Sequence, residues 1–523
     1  LDNKLDIGAG VYWVQANDIS STNLARGVAY DRLTDEHGNP IAISAAYSDR
    51  YLNSVESEHP DLLDWRYVPL EEIGLLDNET HRSDLRLNAN LGYLILPDLK
   101  AEVRYQYWTN LSETRNHSPQ EAYYVRDLIN QFSEYDAEGI LNRHMPLGGI
   151  LDHGTGRGES HSFRSVLSYE KLFLNGNRIN AIGGFEFKSL TAYQDEIRYF
   201  GYDDELGLSV AADPNTRYRK LFNNTLASLP ANQSHAGTTD RFVSYFANAS
   251  YQIDTRFNIS ASARKDQSNL FGVNANQRGV PLWSVGGGYT LSEEKWYRLK
   301  AIPYLRLRMT YGYNGNVDKR TSAYTIARYT IFPTSTIPNL PLASITSPPN
   351  PNLGWEKIRI ANLGLDFSSR NSRISGTLEF YQKIGEDLIG DIEVPASSGF
   401  FTFRGNFANT ATFGYDFNVS TLNIDKGFQW KTDFFWSYVK EKVTQYDYTL
   451  PPSNFLNTGA INPYEGRPLF GVYGYDWAGL NPENGNPMGY LDGVSSEDYR
   501  EILNAASLDN LVYAGPGRPV HFG

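Results

Sequence analysis

The chain has 523 residues, 41% of them hydrophobic and 20% charged, with a formal net charge of −13 and no cysteine. The lack of cysteine excludes disulfides, thiolate metal sites and a cysteine nucleophile. The negative charge, with no lysine–arginine block, argues against nucleic acid as the main partner, and no apolar run reaches the about 18 residues of a transmembrane helix.

The 36 Tyr, 26 Phe and 9 Trp against 3 Met suit a surface between hydrocarbon and water, where a ring and a wet hydroxyl are both satisfied. Taken in chain order, the predicted elements are ribbons. Leu85, Leu87, Ala89, Leu91, Tyr93 and Ile95 lead to a turn at Pro97-Asp98, and Ala101, Val103, Tyr105 and Tyr107 return. Segments 162–170 and 178–190 carry the same alternation. Val243, Tyr245, Ala247, Ala249, Tyr251 and Ile253 run to a break at Asp254-Thr255, and Phe257, Ile259, Ala261 and Ala263 run back. Over 304–313, Leu305, Leu307, Met309, Tyr311 and Tyr313 alternate with Arg306, Arg308 and Thr310. Ala361, Leu363, Leu365 and Phe367 turn through 368–372 into Ile374, Gly376, Leu378 and Phe380. Phe413, Tyr415, Phe417 and Val419 turn through Asp425-Lys426-Gly427 into Phe428, Trp430, Phe434, Trp436 and Tyr438. Successive side chains of a strand point to opposite faces, so each ribbon has one apolar and one polar face.

The pattern gives about 14 strands of about ten residues, longer than the roughly 5–6 usual in globular sheets and near the roughly 9–11 that a tilted strand needs to cross a bilayer. Short polar turns alternate with long polar stretches at 109–160, 191–240, 315–357, 384–410 and 441–500. The expectation is an all-β, transmembrane antiparallel β-barrel with short periplasmic turns and long extracellular loops. A soluble sandwich or propeller with long insertions is the alternative, though no repeat of fixed period is visible.

Chemistry is sparse. His144, His153 and His161 fall in one predicted loop with Asp152 and Glu159, but their spacing fits no helix-borne metal motif, and solvated loop histidines are expected. Gly154-Thr155-Gly156-Arg157-Gly158 lacks the Lys-Ser/Thr of a phosphate loop and reads as a flexible loop. Asn481-Pro482-Glu483-Asn484-Gly485-Asn486 falls short of a full calcium loop and reads as a turn. Asp203-Asp204-Glu205 and Ser496-Glu497-Asp498 read as solvated loop charges. No G-x-S-x-G or H-E-x-x-H occurs. No enzyme, no metal and no cofactor is expected. Tyr123, Tyr124, Tyr193, Tyr199, Phe200 and Tyr202 lie in the long stretches. They are candidates for stacking on sugar rings or peptide side chains, with packing of the loops against each other as the simpler reading.

Several stretches resemble the SusC/RagA family of TonB-dependent outer-membrane transporters. Ala263 to Gly272 is similar to R-x-D-x-S-S-x-F-G, and Pro281 to Glu294 to F-P-S-x-S-x-G-W…S-x-E, departing at Leu282 and Gly288-Tyr289. Leu305 to Asn316 resembles L-K-L-R-x-S-Y-G-x-T-G-N. Asn350-Pro351-Asn352-Leu353-Gly354-Trp355-Glu356-Lys357 with Asn362-Leu363-Gly364-Leu365-Asp366 resembles N-P-x-L-x-W-E-K…N-x-G-L-D. Gly466 to Asn481 is similar to G-x-P-L…Y-G-Y…G-L-D. These stretches lie in order over about half of the chain, and 1–240 adds only the ribbon pattern.

The resemblance implies that 1–523 is one partial barrel domain of a family whose barrel has about 22 strands. The family's signal peptide, carboxypeptidase-like domain and plug are not found ahead of Leu1-Asp2-Asn3, and further strands are expected beyond His521-Phe522-Gly523. Unpaired sheet edges are untenable in hydrocarbon, so the chain is expected to be a fragment or to be completed by something else. The implied function is energised import of an oligosaccharide or peptide across the outer membrane of a Gram-negative, Bacteroidetes-type cell. A SusD-like lipoprotein would act as the lid, outer-membrane lipid would surround the barrel, and TonB–ExbB–ExbD would pull through the plug. Arg306, Arg308, Glu379 and Asp416 would then line the lumen. An outer-membrane barrel enzyme and a soluble surface glycan-binding β protein are the alternatives.

Overall fold

A computed structural model describes residues 4–22, 24, 30–269, 279–316, 322–331, 341–400, 402–446, 448, 452–456, 462–504 and 511–516. Leu270, Phe271 and Gly272 of the first motif, and both chain termini, lie outside the described residues. The long strands are β1 (Leu5–Ser20), β2 (Asp77–Leu96), β3 (Leu99–Ser118), β4 (Gly149–Leu172), β5 (Arg178–Asp203), β6 (Ser234–Ile253), β7 (Phe257–Ser268), β8 (Gly279–Thr290), β9 (Tyr304–Asn316), β10 (Glu356–Ser368), β11 (Ile374–Glu393), β12 (Thr402–Asp425) and β13 (Gln429–Tyr446). They pair antiparallel in strict chain order in a 14-stranded sheet, with the short strand Leu208–Val210 hydrogen-bonded to β5.

The register sorts the sheet into two faces. Tyr289, Leu307, Leu365, Leu378, Phe417 and Trp436 form one apolar row across β8 to β13. Tyr105, Phe163, Phe187 and Val243 form another across β3 to β6. Among the described residues none covers this face: Tyr245 is 54%, Met309 60% and Leu363 45% exposed. Among the described residues, the buried apolar side chains lie elsewhere. On β6 the outward residues Val243, Tyr245, Ala247, Ala249, Tyr251 and Ile253 extend over about 33 Å of strand. Tilted by about 40°, that is a belt roughly 25 Å tall, the height of a membrane barrel's apolar band.

Strands run from 12 to 26 residues, not about ten, because the hydrogen-bond ladder continues past the belt where both faces are polar and the alternation fades. The predicted loop 109–160 therefore shrinks to 119–148 and 191–240 to 204–233, while 384–410 becomes the connection 394–401. Strands β1 and β8 are not among the ribbons read from sequence. At the opposite end the turns are tight, apart from the connection 291–303 between β8 and β9. In the turn between β6 and β7, Asp254 takes φ 49, a left-handed conformation that Asp tolerates through its local hydrogen bonding.

The long connections, in residues 30–76, 119–148 and 204–233, are not structureless; they fold together into a cap at one end of the sheet. Helix α1 (Asp49–Glu58) starts at Ser48, whose side chain accepts from the Tyr51 N–H and satisfies an otherwise orphan donor. Helix α2 (Tyr123–Gln131) buries Val125, Leu128 and Ile129, with Phe132 one turn on, against Met145, Ile150 of β4, Phe200 of β5 and Leu229. A second cluster joins Leu52, Trp65, Tyr67 and Tyr123. These two clusters, with a smaller one of Ala323, Leu353 and Trp355, are the dry core among the described residues, and they stand outside the belt.

Candidate functional site

The polar face of the sheet is charged along its length, and its charges are paired. One register row runs Gly288, Arg308, Gly364, Glu379, Asp416 and Ser437 across β8 to β13. The Arg308 Nε donates to Asp366 Oδ2 at 2.7 Å, while its Nη2 donates to Asp366 Oδ1 at 2.9 Å and to Glu379 Oε1 at 2.7 Å. Arg308 thus links β9 to β11 across the whole width of β10. Gly364 makes this possible: a Cβ there would stand 3.1 Å from Arg308 Nη2. Arg306 lies over Gly288 in the same way, 2.8 Å from where a Cβ would be. Asp416 accepts from the Ser437 hydroxyl. Arg306, Arg308, Glu379 and Asp416 therefore all share the polar face, and Arg308 and Glu379 touch.

A second network occupies β4 to β7. Arg164 Nη1 and Arg264 Nη2 each donate at 2.8 Å to one oxygen of Glu186, and Arg264 Nε donates at 2.7 Å to Asp266. Arg264 reaches Glu186 over β6, where Ser244 is buried. Both guanidinium groups lie over the Phe246 ring, 4.7 and 5.9 Å from its centre, an arrangement that adds cation–π attraction. Lys188, Arg164, Arg264 and Trp355 line one pocket, although β5 to β9 separate Arg164 from Trp355 in the sheet order. Residues that far apart along a sheet meet only when that face is concave. The charged face is thus the inside of a curled wall, and the apolar face its outside.

The cap stands at the mouth of this wall and is held by buried polar contacts. The Asp127 carboxylate accepts from Tyr47 Oη at 2.9 Å and Trp65 Nε1 at 2.7 Å. Burial, reinforced by that carboxylate, pushes the Tyr47 phenol far above its usual range, and burial pushes Tyr123 up to about 12. The buried Asn130 accepts from the Leu63 N–H at 3.1 Å and donates to the Leu63 carbonyl at 2.8 Å. Glu72 accepts from the Tyr123 N–H at 2.8 Å, and burial raises its carboxyl above the ordinary value despite that bond and nearby Arg126.

The aromatic candidates do not converge on one surface. Tyr123 is buried on α2, its ring 5.1 Å from Tyr67. Tyr124 is half exposed and accepts at 3.0 Å from Arg198, itself doubly bonded to Asp152. Tyr193, Tyr199, Phe200 and Tyr202 belong to β5 and not to a loop. Phe200 is in the cap core, Tyr202 packs edge-on to His117 at 5.4 Å, and Tyr193 faces outward. The histidine loop is also corrected: His153 and His161 are on β4, and only His144 is in the cap, stacked on Tyr218 at 4.2 Å. Among the described residues no three potential ligands cluster for a metal. Gly154 to Gly158 are strand, not flexible loop. The turn Asn481 to Asn486 wraps Glu497, which accepts from the side-chain amides of Asn481, Asn484 and Asn486, and these donors hold its carboxyl below the ordinary value. Glu497 is thus held in a turn and is not simply solvated.

Sequence reasoning passed over Asp127, Glu72 and Asn130. The spacing of Val125, Leu128, Ile129 and Phe132, one apolar face of a helix, was the available signal.

Comparison with known proteins places this geometry. A family model described as TonB dependent receptor-like, beta-barrel, matches residues 13–516. TonB-dependent receptor P39 of Formosa agariphila is 26% identical over 366 residues, 68% of this chain and 32% of that protein. TonB-dependent receptor SusC of Bacteroides thetaiotaomicron is 25% identical over 222 residues, 41% of this chain and 22% of that protein. The solved RagAB peptide importer in its closed-closed state is similar in fold at a TM-score of 0.72 and 19% identity, over 98% of this chain and 53% of that chain. The chain spans about a third of the length of P39 and about half of the RagAB chain.

Proposed function

The chain belongs to the TonB-dependent receptor-like β-barrel family of the outer membrane, in its SusC/RagA branch, and from that premise we propose that it forms wall and mouth of an energised nutrient importer. The observation that carries the reading is the pairing of an uncovered apolar outside with a concave, ion-paired inside. Such a wall conducts polar solute through hydrocarbon without exposing a charge to lipid. Arg306, Arg308, Glu379 and Asp416 line the conduit, and no covalent step is needed. A SusD-like lipoprotein closes over the cap, and TonB–ExbB–ExbD supplies the work through a plug. The cargo is an oligosaccharide or a peptide. RagAB, described as a peptide importer, favours neither strongly, since its likeness is one of fold.

The test is affinity capture of the tagged full-length protein from native outer membranes, combined with uptake by a deletion strain. A SusD-like lipoprotein is expected to co-purify, and uptake of one labelled oligosaccharide or peptide pool should stop on deletion and on loss of TonB. A full-length protein that stays monodisperse without detergent, or a deletion strain with unchanged uptake of both pools, overturns the proposal.

A further inference from the structure

Gly154, Gly156 and Gly158 alternate along β4 on the concave face, while Thr155, Arg157 and Glu159 face outward with His161. Glycine weakens a strand interior, and there it marks a bulge, a bend or a close approach. None of the three takes a positive φ, and the register with β3 and β5 runs unbroken through them. Gly158 is explained by Trp108, whose six-membered ring would stand 2.9 Å from a Cβ at that position. The wall does not explain Gly154 and Gly156, because a Cβ at either would meet its nearest atom only at 3.7 Å. Their missing side chains leave open space over the strand.

That space is a trough of about 320 Å³. In register, Gly156 lies between Ser112 of β3 and Gln194 of β5, and Gly154 lies between Thr114 and Glu196. Ser112, Gln194 and Glu196 form no side-chain hydrogen bond or ion pair among the described residues. Trp108 closes one end, its indole N–H donating to Asp84 at 2.5 Å. The other end is closed by Arg198, which donates twice to Asp152 at 2.6 Å. Arg82, Arg86 and Arg198 around the trough each hold a carboxylate already, those of Asp18, Asp84 and Asp152, whereas Glu196 has no counter-charge. The trough therefore offers partners to hydroxyl groups and repels anions. It stands above the belt, since the outward residues of this stretch are polar and Ile150 of the same strand is in the cap core.

We propose that this trough binds a neutral oligosaccharide, laid along β4 at the mouth of the wall. The proposal rests on the import reading and names the class of cargo for it. Gly154 to Gly158 covers about 13 Å of strand, room for about two to three pyranose rings. Hydroxyl, amide and carboxylate groups on the two sides meet sugar hydroxyls, and the partly exposed indole of Trp108 takes the C–H face of one ring. A glycan bearing carboxylates would bring them against Glu196. An extended peptide would need partners for its own amide groups, and the backbone of β4 is already paired on both sides.

The test is isothermal titration of the full-length protein in mild detergent, with any lipoprotein that co-purifies. The probes are neutral tetrasaccharides of α- and β-linked glucose, mannose and galactose, then tetragalacturonate, then a mixed tetrapeptide pool. At least one neutral tetrasaccharide is expected to bind, and tetragalacturonate should bind about tenfold more weakly or worse. Gly156→Leu, which fills the trough, should lower the affinity for the neutral sugar by about tenfold or more. Gln194→Ala trims an exposed side chain and should weaken the same sugar by about threefold or more, so the site is read even where Gly156→Leu does not fold. Glu196→Gln should narrow the gap between tetragalacturonate and the neutral sugar, and an unchanged gap overturns the role of charge in setting the class. Failure of every neutral tetrasaccharide to bind, or unchanged affinity in both Gly156→Leu and Gln194→Ala, overturns the site. Tetrapeptide binding that these variants abolish overturns the sugar assignment. In each of these cases uptake that still stops on deletion and on loss of TonB leaves the import reading standing.

Discussion

Leu363 offers the sharpest test of which side of the wall meets lipid. It is one of four outward apolar residues on β10 with Phe367, Leu365 and Ala361, so it stands well inside the belt. Its register neighbours are Met309 on β9 and Phe380 on β11, 60% and 51% exposed. The row continues through Tyr415 and Tyr438, so no carboxylate is within reach of a cation placed there. In lipid, Leu363→Arg should cost about 2–4 kcal/mol, the penalty for an arginine near the midplane of a barrel's outer face. In water the same exchange at a half-exposed site should change stability by no more than about 0.5 kcal/mol. Asn418→Arg is the control. Asn418 is exposed on the concave face, two residues from Asp416, so an arginine there gains a polar, wet surrounding and should cost under about 1 kcal/mol. The measurement is reversible urea unfolding of the full-length protein in phosphatidylcholine vesicles. A neutral Leu363→Arg, or an Asn418→Arg that costs more than Leu363→Arg, would refute the sidedness on which everything else rests.

Three further outcomes are expected. Gly364→Val should displace the Arg308 guanidinium from Glu379 and cost about 1–2 kcal/mol, and in a double-mutant cycle with Arg308→Ala most of that cost should vanish; strictly additive effects would disprove the bridge. Asp127→Ala leaves the Tyr47 hydroxyl and Trp65 indole N–H without their acceptor, so the cap should lose about 2–4 kcal/mol of local stability, read as faster amide exchange along α2. Unchanged exchange would mean that Asp127 does not hold the cap. Glu72 gives a pH dependence whose sign follows from its raised carboxyl. The folded cap keeps a proton that the unfolded chain releases, so this contribution is full below the ordinary value of 4.5 and is lost as pH rises past it through the raised value. Protection of α2 should therefore weaken as pH rises above 4.5, and Glu72→Gln should flatten the slope; an unaltered slope in that variant assigns the effect to another group.

The ribbons were legible wherever one face meets lipid and the other water, because only there does composition follow the pleat. Val243 to Ile253 and Leu363 to Phe367 are of this kind. The upper reach of β5 was not, since Ser189, Thr191, Asp195 and Glu196 put polar residues on both faces, and nothing distinguishes such a strand from a loop. The cap was hidden for the opposite reason. Its core is small, gathered from connections far apart in sequence, and fixed by polar pairs such as Asp127 with Trp65 that no local pattern announces.

The site was legible in its parts and not in its assembly. Alternation alone puts Arg308 and Glu379 on the polar side, but their contact depends on a missing side chain at Gly364, one strand away from each. The motif that contains this glycine can be read in the same physical terms. Asn362-Leu363-Gly364-Leu365-Asp366 alternates outward leucines with an inward gap and an inward acceptor, so it sends one set of groups to lipid and clears a path for an arginine on the other side. The preceding Asn350-Pro351-Asn352-Leu353-Gly354-Trp355 builds the entry to that strand. Asn350 Nδ2 donates to the Arg404 carbonyl at 3.1 Å, and Asn406 accepts from the Gly354 N–H at 2.9 Å and donates to its carbonyl at 3.1 Å. Leu353 and Trp355 are buried with Ala323 behind them. These contacts tie the start of β10 to β12 across β11, and they fix how far β10 may slide. A one-residue slip would turn Leu363 and Leu365 inward and Asp366 toward lipid. The asparagines of this motif are therefore a register lock, and the paired charged face exists only while that lock holds.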